Sequence, residues 1–235
     1  MKAVAIFRHF HTEGPGYLGE YLDQRGVKWK LIAVDEGASV PSGPGDFAGL
    51  VFMGGPMSVN DELPWIPPVL ALIRSAIARG VPVLGHCLGA QLMSKAMGGV
   101  VSRTPVKEIG WGEVRVADNG EARRWFGTSV GHFDAFHWHG ETFSIPPAAT
   151  LVLSNPWCQN QAFACGPHLA LQCHIEMTKA LVEVWCKSGR REIERSSSPA
   201  VQPADRILER LDDRIDALHR VADKVYARWS EGLRF

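Results

Sequence analysis

The sequence predicts a three-layer α/β protein: a mostly parallel central sheet with helices on both faces, antiparallel additions and a C-terminal helical extension. Three observations carry that expectation. Short apolar runs recur without polar alternation, which is the pattern of strands buried on both faces. Helical stretches lie between them and close on Gly after a basic residue, where the cation meets the helix dipole and Gly accepts a left-handed backbone. After Gly99 the texture shifts to short strands between turn residues, which adds antiparallel pairing to a sheet built by strand–helix alternation.

In chain order, the first strand candidates are residues 3–7, 29–34, 49–53 and 82–84. Helices are predicted over 17–25, closed by Gly26; over 67–79, closed by Gly80; and over 89–97, closed by Gly98 and Gly99. Beyond them, 114–117, 136–138, 151–153, 161–164 and 169–173 read as short strands, 178–187 as a helix and 195–203 as a Ser- and Pro-rich loop. Ile207, Leu208, Leu211, Ile215, Leu218, Val221, Val225 and Trp229 then share one helical face. That stripe packs back on the domain or meets a second copy in a homodimer. Residues 1–190 are expected to form one domain, and 191–235 a helical extension packed on it.

Composition excludes several classes. Of 235 residues, 46% are hydrophobic and 21% charged, with 25 Lys+Arg against 25 Asp+Glu. Neither disorder nor an electrostatic footprint for nucleic acid fits this balance, and a small neutral or zwitterionic ligand does. The apolar run at 3–7 is too short for a signal peptide or a membrane span, and Arg8 and His9 follow it, so a cytoplasmic protein without a membrane partner is expected. Five cysteines without a C-x-x-C pair argue against a disulfide framework or zinc ribbon. Cys158, Cys165, Cys173 and Cys186 are read as packing thiols.

Cys87 differs. Gly85-His86-Cys87-Leu88-Gly89 follows a strand candidate and opens a helix, which is the cysteine form of a G-x-S-x-G nucleophile elbow. Small residues on both sides allow the sharp bend, and the helix N-terminus favours a thiolate. A small buried thiol at a strand end is the alternative.

A cysteine nucleophile needs a base, an orienting group and oxyanion donors. His174 and Glu176 lie at the end of a strand-like run with a spacing of two, which puts both side chains on one face. The carboxylate can then hold one ring nitrogen and leave the other for sulfur. The nucleophile elbow also comes first along the chain, as it does in α/β-hydrolase triads. Gly54 and Gly55 allow backbone to approach a ligand closely, and the N–H groups of Gly55 and Leu88 are assigned as oxyanion donors. An ordinary surface His-Glu pair and an ordinary strand-to-helix turn are the alternatives when each motif stands by itself.

Taken together, Gly54-Gly55-Pro56, Gly85-His86-Cys87-Leu88-Gly89-Ala90-Gln91 and Gln172-Cys173-His174-Ile175-Glu176 resemble the class I glutamine amidotransferase domain. The resemblance covers about residues 1–190 and is closest to the stand-alone, GMP-synthase-like branch, which has γ-glutamyl peptidase-like relatives. Glu13-Gly14-Pro15-Gly16, Ser58-Val59-Asn60-Asp61, residues 106–111 and residues 136–140 also resemble that branch. It implies a flavodoxin-like fold and a Cys87-His174-Glu176 triad. In that chemistry a γ-glutamyl thioester forms from glutamine, ammonia leaves, and water releases glutamate. It further implies that Gln91 contacts substrate and that Trp138 and His139 cradle its amino and carboxylate ends. The family usually has Phe and Pro at Cys173 and Ile175, and commonly Ile at His86. Ile175 is expected to alter the turn presenting Glu176, Cys173 to add a thiol near the site, and His86 to be a hydrogen-bonded neighbour of the elbow.

No cofactor is expected. His9 with His11, and His137 with His139, have a spacing that suits a metal, but no acidic or cysteine ligand spacing accompanies them, so no metal is assigned. The chain carries no G-x-x-x-x-G-K-[ST] loop and no S-G-G-x-D signature, so GMP synthesis by these residues alone is not expected. Three functions follow from the site. One is glutamine hydrolysis that supplies ammonia, alone or to a separate synthetase subunit. Another is cleavage of other γ-glutamyl amides or glutathione-like conjugates. The last is a non-catalytic regulatory protein of the same fold, which the intact Cys87, His174 and Glu176 argue against.

Overall fold

The computed structural model describes residues 2–235. In chain order its elements are β1 (Ala3–Arg8), α1 (Gly16–Gln24), β2 (Trp29–Ala33), β3 (Phe47–Phe52), α2 (Ile66–Ala78), β4 (Val83–His86) and α3 (Leu88–Ala96). They continue as β5 (Val101–Val116), α4 (Gly120–Phe126), β6 (His132–Phe143), β7 (Thr150–Ser154), β8 (Ala162–Cys165) and β9 (His168–Leu171). The chain closes with α5 (Lys179–Ser188), α6 (Arg190–Arg195), β10 (Ala200–Val201), α7 (Ala204–Leu208) and α8 (Leu211–Ser230).

The described residues form a ten-stranded mixed sheet in the order β10-β5-β7-β8-β9-β4-β3-β1-β2, with β6 paired to β5. The five strands β2, β1, β3, β4 and β9 run parallel to their neighbours. From β9 outward the pairing turns antiparallel through β8, β7, β5 and β6. The parallel half follows directly from residue type. In β1, Val4 and Ile6 face Leu18, Tyr21 and Leu22 of α1, while Ala5 and Phe7 face the opposite core with Leu72 and Ile73 of α2. Both faces are apolar because both are covered.

Helix starts are equally local. Pro67 and Pro68 occupy the first turn of α2, where a missing N–H costs nothing. The Asn119 side chain accepts from the Ala122 N–H at the start of α4, and Thr178 does the same for the Leu181 N–H in α5.

The second half departs from the sequence expectation in length. The short strands predicted at 114–117 and 136–138 are parts of a 16-residue β5 and a 12-residue β6, which pair as one long antiparallel arm. Its edges are polar and partly exposed, so an apolar-run criterion finds only the buried stretches. The predicted loop at 195–203 includes β10, which pairs parallel to β5 at Glu108 and Ile109. The apolar stripe is split by Arg210, at φ 53°, into α7 and α8. Leu218, Val225, Tyr226 and Trp229 of α8 are buried in the same core as α1, α4 and β6, so most of the stripe is occupied within the chain, while Leu208 is exposed. Among the described residues no helix is long and apolar enough to cross a membrane.

Candidate active site

β4 ends at His86 and α3 begins at Leu88, leaving Cys87 alone at the bend with φ 49° and ψ −105°. That conformation is costly for a residue with a Cβ and persists where the surroundings enforce it. They do so here by contact. A Cβ on Gly85 would lie 2.6 Å from the Gly89 carbonyl carbon, and one on Gly89 would collide with the Phe52 carbonyl oxygen. The Cys87 N–H donates to the Leu171 carbonyl (2.8 Å), which ties the elbow to β9. The two glycines are therefore required by close packing of α3 on β3 and β4, and Cys87 is lifted to the pocket wall.

β9 leads into His174 and Glu176. The His174 N–H donates to the Phe136 carbonyl (2.8 Å), so the segment is held against β6. His174 Nδ1 and Glu176 Oε1 are 2.6 Å apart, with both side chains almost wholly buried. Burial opposes the charge on each. His86 and His174 nonetheless hold the Glu176 carboxyl down to about 2. Glu176 and the Cys87 sulfur hold the His174 imidazole well above its usual range. Trp185 of α5 packs edge-on against the His174 ring, with centroids 4.9 Å apart. Ile175 is fully buried and leaves Glu176 in bonding range of His174, so the expected change in that turn does not displace the carboxylate. Cys173 is also buried, and burial pushes its thiol far up, which makes it a packing residue.

Cys87, His174, Gly55, Gln91, Trp138 and His139 border one pocket of about 1370 Å³. Gly54 sits behind it, against Glu13 and His174, and Leu88 contributes the first residue of α3. A helix's first N–H groups have no intrahelical partner, so the Leu88 amide is free to serve a ligand. The Gln91 side-chain amide donates to Gln172 Oε1 (3.2 Å) and to the Glu141 carbonyl (3.4 Å). The Trp138 indole donates to Glu192 Oε2 (3.0 Å), and its carbonyl lies 3.9 Å from the Cys87 sulfur.

Gln172 and Glu13 stand in this arrangement without a role assigned from sequence. Gln172 Nε2 donates to the Cys87 sulfur at 3.4 Å. Its spacing of two from His174 was the available signal. His86 turns away from the pocket: its Nε2 lies 3.6 Å from Glu176 Oε2 and 3.4 Å from the Tyr226 hydroxyl of α8. The expected neighbour of the elbow thus backs the carboxylate. The Glu13 side chain borders the pocket beside His174.

The histidine pairs resolve differently. His9 Nδ1 bonds the Met53 carbonyl (3.0 Å) while His11 is exposed. His137 and His139 do have a carboxylate companion, contrary to the expectation from spacing. Glu108 comes from β5 across the arm, and the three ligand atoms lie within 4.8 Å of one another. Asn155 Nδ2 (2.5 Å) and Gln161 Nε2 (2.9 Å) donate to the two Glu108 oxygens, with His139 Nε2 at 3.1 Å. The carboxylate is satisfied by protein donors, which is the pattern of a buried hydrogen-bonded network.

Residues 17–181 match the family model described as glutamine amidotransferase class-I. The crystal structure of a glutamine amidotransferase from Methylobacillus flagellatus superposes with a TM-score of 0.97 at 43% identity, covering 100% of this chain and 96% of that one. The glutamine amidotransferase-like protein YfeJ of Salmonella typhimurium is 28% identical over 195 residues, 79% of this chain and 80% of its own length. The GMP synthase of Aromatoleum aromaticum is 32% identical over 142 residues, which is 57% of this chain but 26% of that enzyme's length. The chain belongs to the class I glutamine amidotransferase family.

Proposed function

We propose that the protein hydrolyses the side-chain amide of glutamine through Cys87, and hands the ammonia to an acceptor bound by another protein or releases it. Family membership supports glutamine amide hydrolysis in general. The observation that carries the assignment of residues is the 2.6 Å His174–Glu176 contact behind a cysteine at a strained elbow in the same pocket.

In this reading the Cys87 thiolate attacks the amide carbon while the N–H groups of Gly55 and Leu88 receive the developing oxyanion. His174 Nε2 gives a proton to the departing nitrogen, so ammonia leaves and a γ-glutamyl thioester stays on Cys87. His174 then takes a proton from water, hydroxide adds to the thioester, and glutamate departs as the sulfur recovers its negative charge. Glu176 keeps the ring oriented, and Gln172 donates to the sulfur whenever it is anionic. Gln91, Trp138 and His139 hold the amino acid end. Residues 1–190 make up the catalytic unit in this reading, and 191–235 pack on it as its helical extension. The match to part of GMP synthases favours a separate synthetase as ammonia acceptor.

A diazoketone glutamine analogue tests the nucleophile. It should label Cys87 and leave Cys87→Ser unlabelled; labelling at Cys158 or Cys173 instead would sink the assignment. Cleavage of other γ-glutamyl amides is the second reading, favoured by a pocket of about 1370 Å³, which is far more than glutamine fills. A panel of glutamine and γ-glutamyl peptides separates the two by kcat/KM.

A further inference from the structure

The turn Glu13-Gly14-Pro15-Gly16 has no part in the chemistry above, yet it is clamped over the site from both ends. The Tyr17 N–H donates to the Glu176 carbonyl (2.8 Å), and a Cβ on Gly16 would collide with that same oxygen. At the other end Trp185 Nε1, from the ring that packs on His174, donates to the Thr12 carbonyl (2.9 Å). Between these anchors the Glu13 side chain reaches over Gly54. A Cβ on Gly54 would collide with Glu13 Oε2 and stand 3.3 Å from His174 Cε1. The carboxyl and the edge of the imidazole thus bear on a single spot, and that spot is empty because residue 54 is Gly.

We propose that Glu13 is a positioning residue for the hydrolysis: when ionised, it acts with Glu176 to keep the positive charge on His174. The proposal rests on the reading of His174 as the proton carrier. Glu176 grips Nδ1 by direct contact and both orients the ring and favours its charge, whereas Glu13 adds to the charge alone, through space from the side of Cε1. Burial pushes the Glu13 carboxyl up to about 7, with His174 pulling it down and Glu176 pushing it up. Its charge therefore changes near neutrality, while Glu176 stays ionised.

The other titratable groups around it are accounted for. His174 and Glu176 face Glu13 from the segment after β9, and Cys87 borders the pocket from the elbow. Asp61, Arg103, His139, Glu141, Arg195 and the Lys107–Glu192 pair border the same pocket. His9, at the end of its own loop, is held by burial down to about 4 and stays neutral.

The test is the His174 ring titration followed by nuclear magnetic resonance, run beside the pH profile of glutamine hydrolysis, in wild type, Glu13→Gln and Glu13→Asp. Removing a unit negative charge at this range lowers the ring's titration midpoint by about 1 to 3 pH units. The basic limb of the hydrolysis profile moves with it, and Glu13→Asp recovers most of the shift. An unmoved ring titration in Glu13→Gln overturns the proposal, as does an activity loss with both limbs in place. A shifted titration in Glu13→Gln, with a wild type that hydrolyses no γ-glutamyl amide, upholds the charge coupling and counts against the catalytic reading instead.

Discussion

His174 Nδ1 meets Glu176 Oε1 at 2.6 Å in a pair almost wholly shut off from water. Two buried partners of this kind are costly to separate, since each leaves the other uncompensated. The pH dependence follows from the direction of each shift. Glu176 is depressed from 4.5 to about 2, so its contribution to stability is present above pH 4.5 and lost as pH falls toward 2. His174 is raised above 6.5, so its contribution is full below that value and lost as pH climbs through the raised one. Thermal melts across the acid range should show this fall, and Glu176→Gln should melt lower at neutral pH with a shallower acid slope. The same variant should lose about 10²-fold or more in kcat, because the ring loses its orienting partner.

Cys87→Gly should abolish hydrolysis and raise stability. At φ 49° and ψ −105° a cysteine carries strain that glycine does not, a difference of about 1 to 3 kcal/mol, partly offset by the greater freedom of glycine in the unfolded chain. Urea unfolding should show a net gain of about 1 kcal/mol. A loss of stability would mean that the elbow is not strained in solution.

Gly55→Ala should separate activity from folding. The new Cβ meets the Met57 sulfur at 2.5 Å and a Leu88 methyl at 2.8 Å, both side-chain ends that can move. The fold should survive, while the backbone proposed as oxyanion donor shifts and kcat falls about 10²- to 10³-fold. Normal circular dichroism with unchanged kcat would remove Gly55 from the hole.

Gly89→Ala should fail differently. Its Cβ runs into the Phe52 carbonyl, which is backbone in the central sheet and cannot yield. A loss of about 2 to 3 kcal/mol in unfolding free energy is expected, with activity falling only as far as the folded fraction does.

Gln172→Leu should slow the thiolate. Without the amide donor 3.4 Å from the sulfur, alkylation of Cys87 by iodoacetamide at neutral pH should drop about 10-fold or more. The substitution also strips Gln91 of one of its two acceptors, so a rise in KM for glutamine should accompany it.

The parts of the site that sequence makes legible are those set by short spacing. Gly85 and Gly89 flank Cys87 because the bend needs them, and His174 and Glu176 share a face because they are two apart. What stays hidden depends on long-range pairing. Glu108 finds His139 only because β5 and β6 run antiparallel at that register, and nothing local to residues 137–139 announces it. His86 is similar: its partner Tyr226 is 140 residues away. The fold follows the same division. Fully buried strands such as β1 and β3 appear as apolar runs, whereas the arm of β5 and β6, polar along its exposed stretches, shows only in fragments.

One tie between the ends of the molecule bears on the order in which the site is closed. The Tyr17 hydroxyl donates to Asp223 Oδ1 (2.8 Å), and its ring stacks on His219 with centroids 3.5 Å apart, so the turn over the site is held by α8 across 206 residues of sequence. During synthesis, this tie can form only after α8 has emerged, later than the bonds that the same turn makes to Glu176 and Trp185. A nascent chain that has already folded the elbow and its base would hold this turn through Glu176 and Trp185 but would still lack the tie to α8.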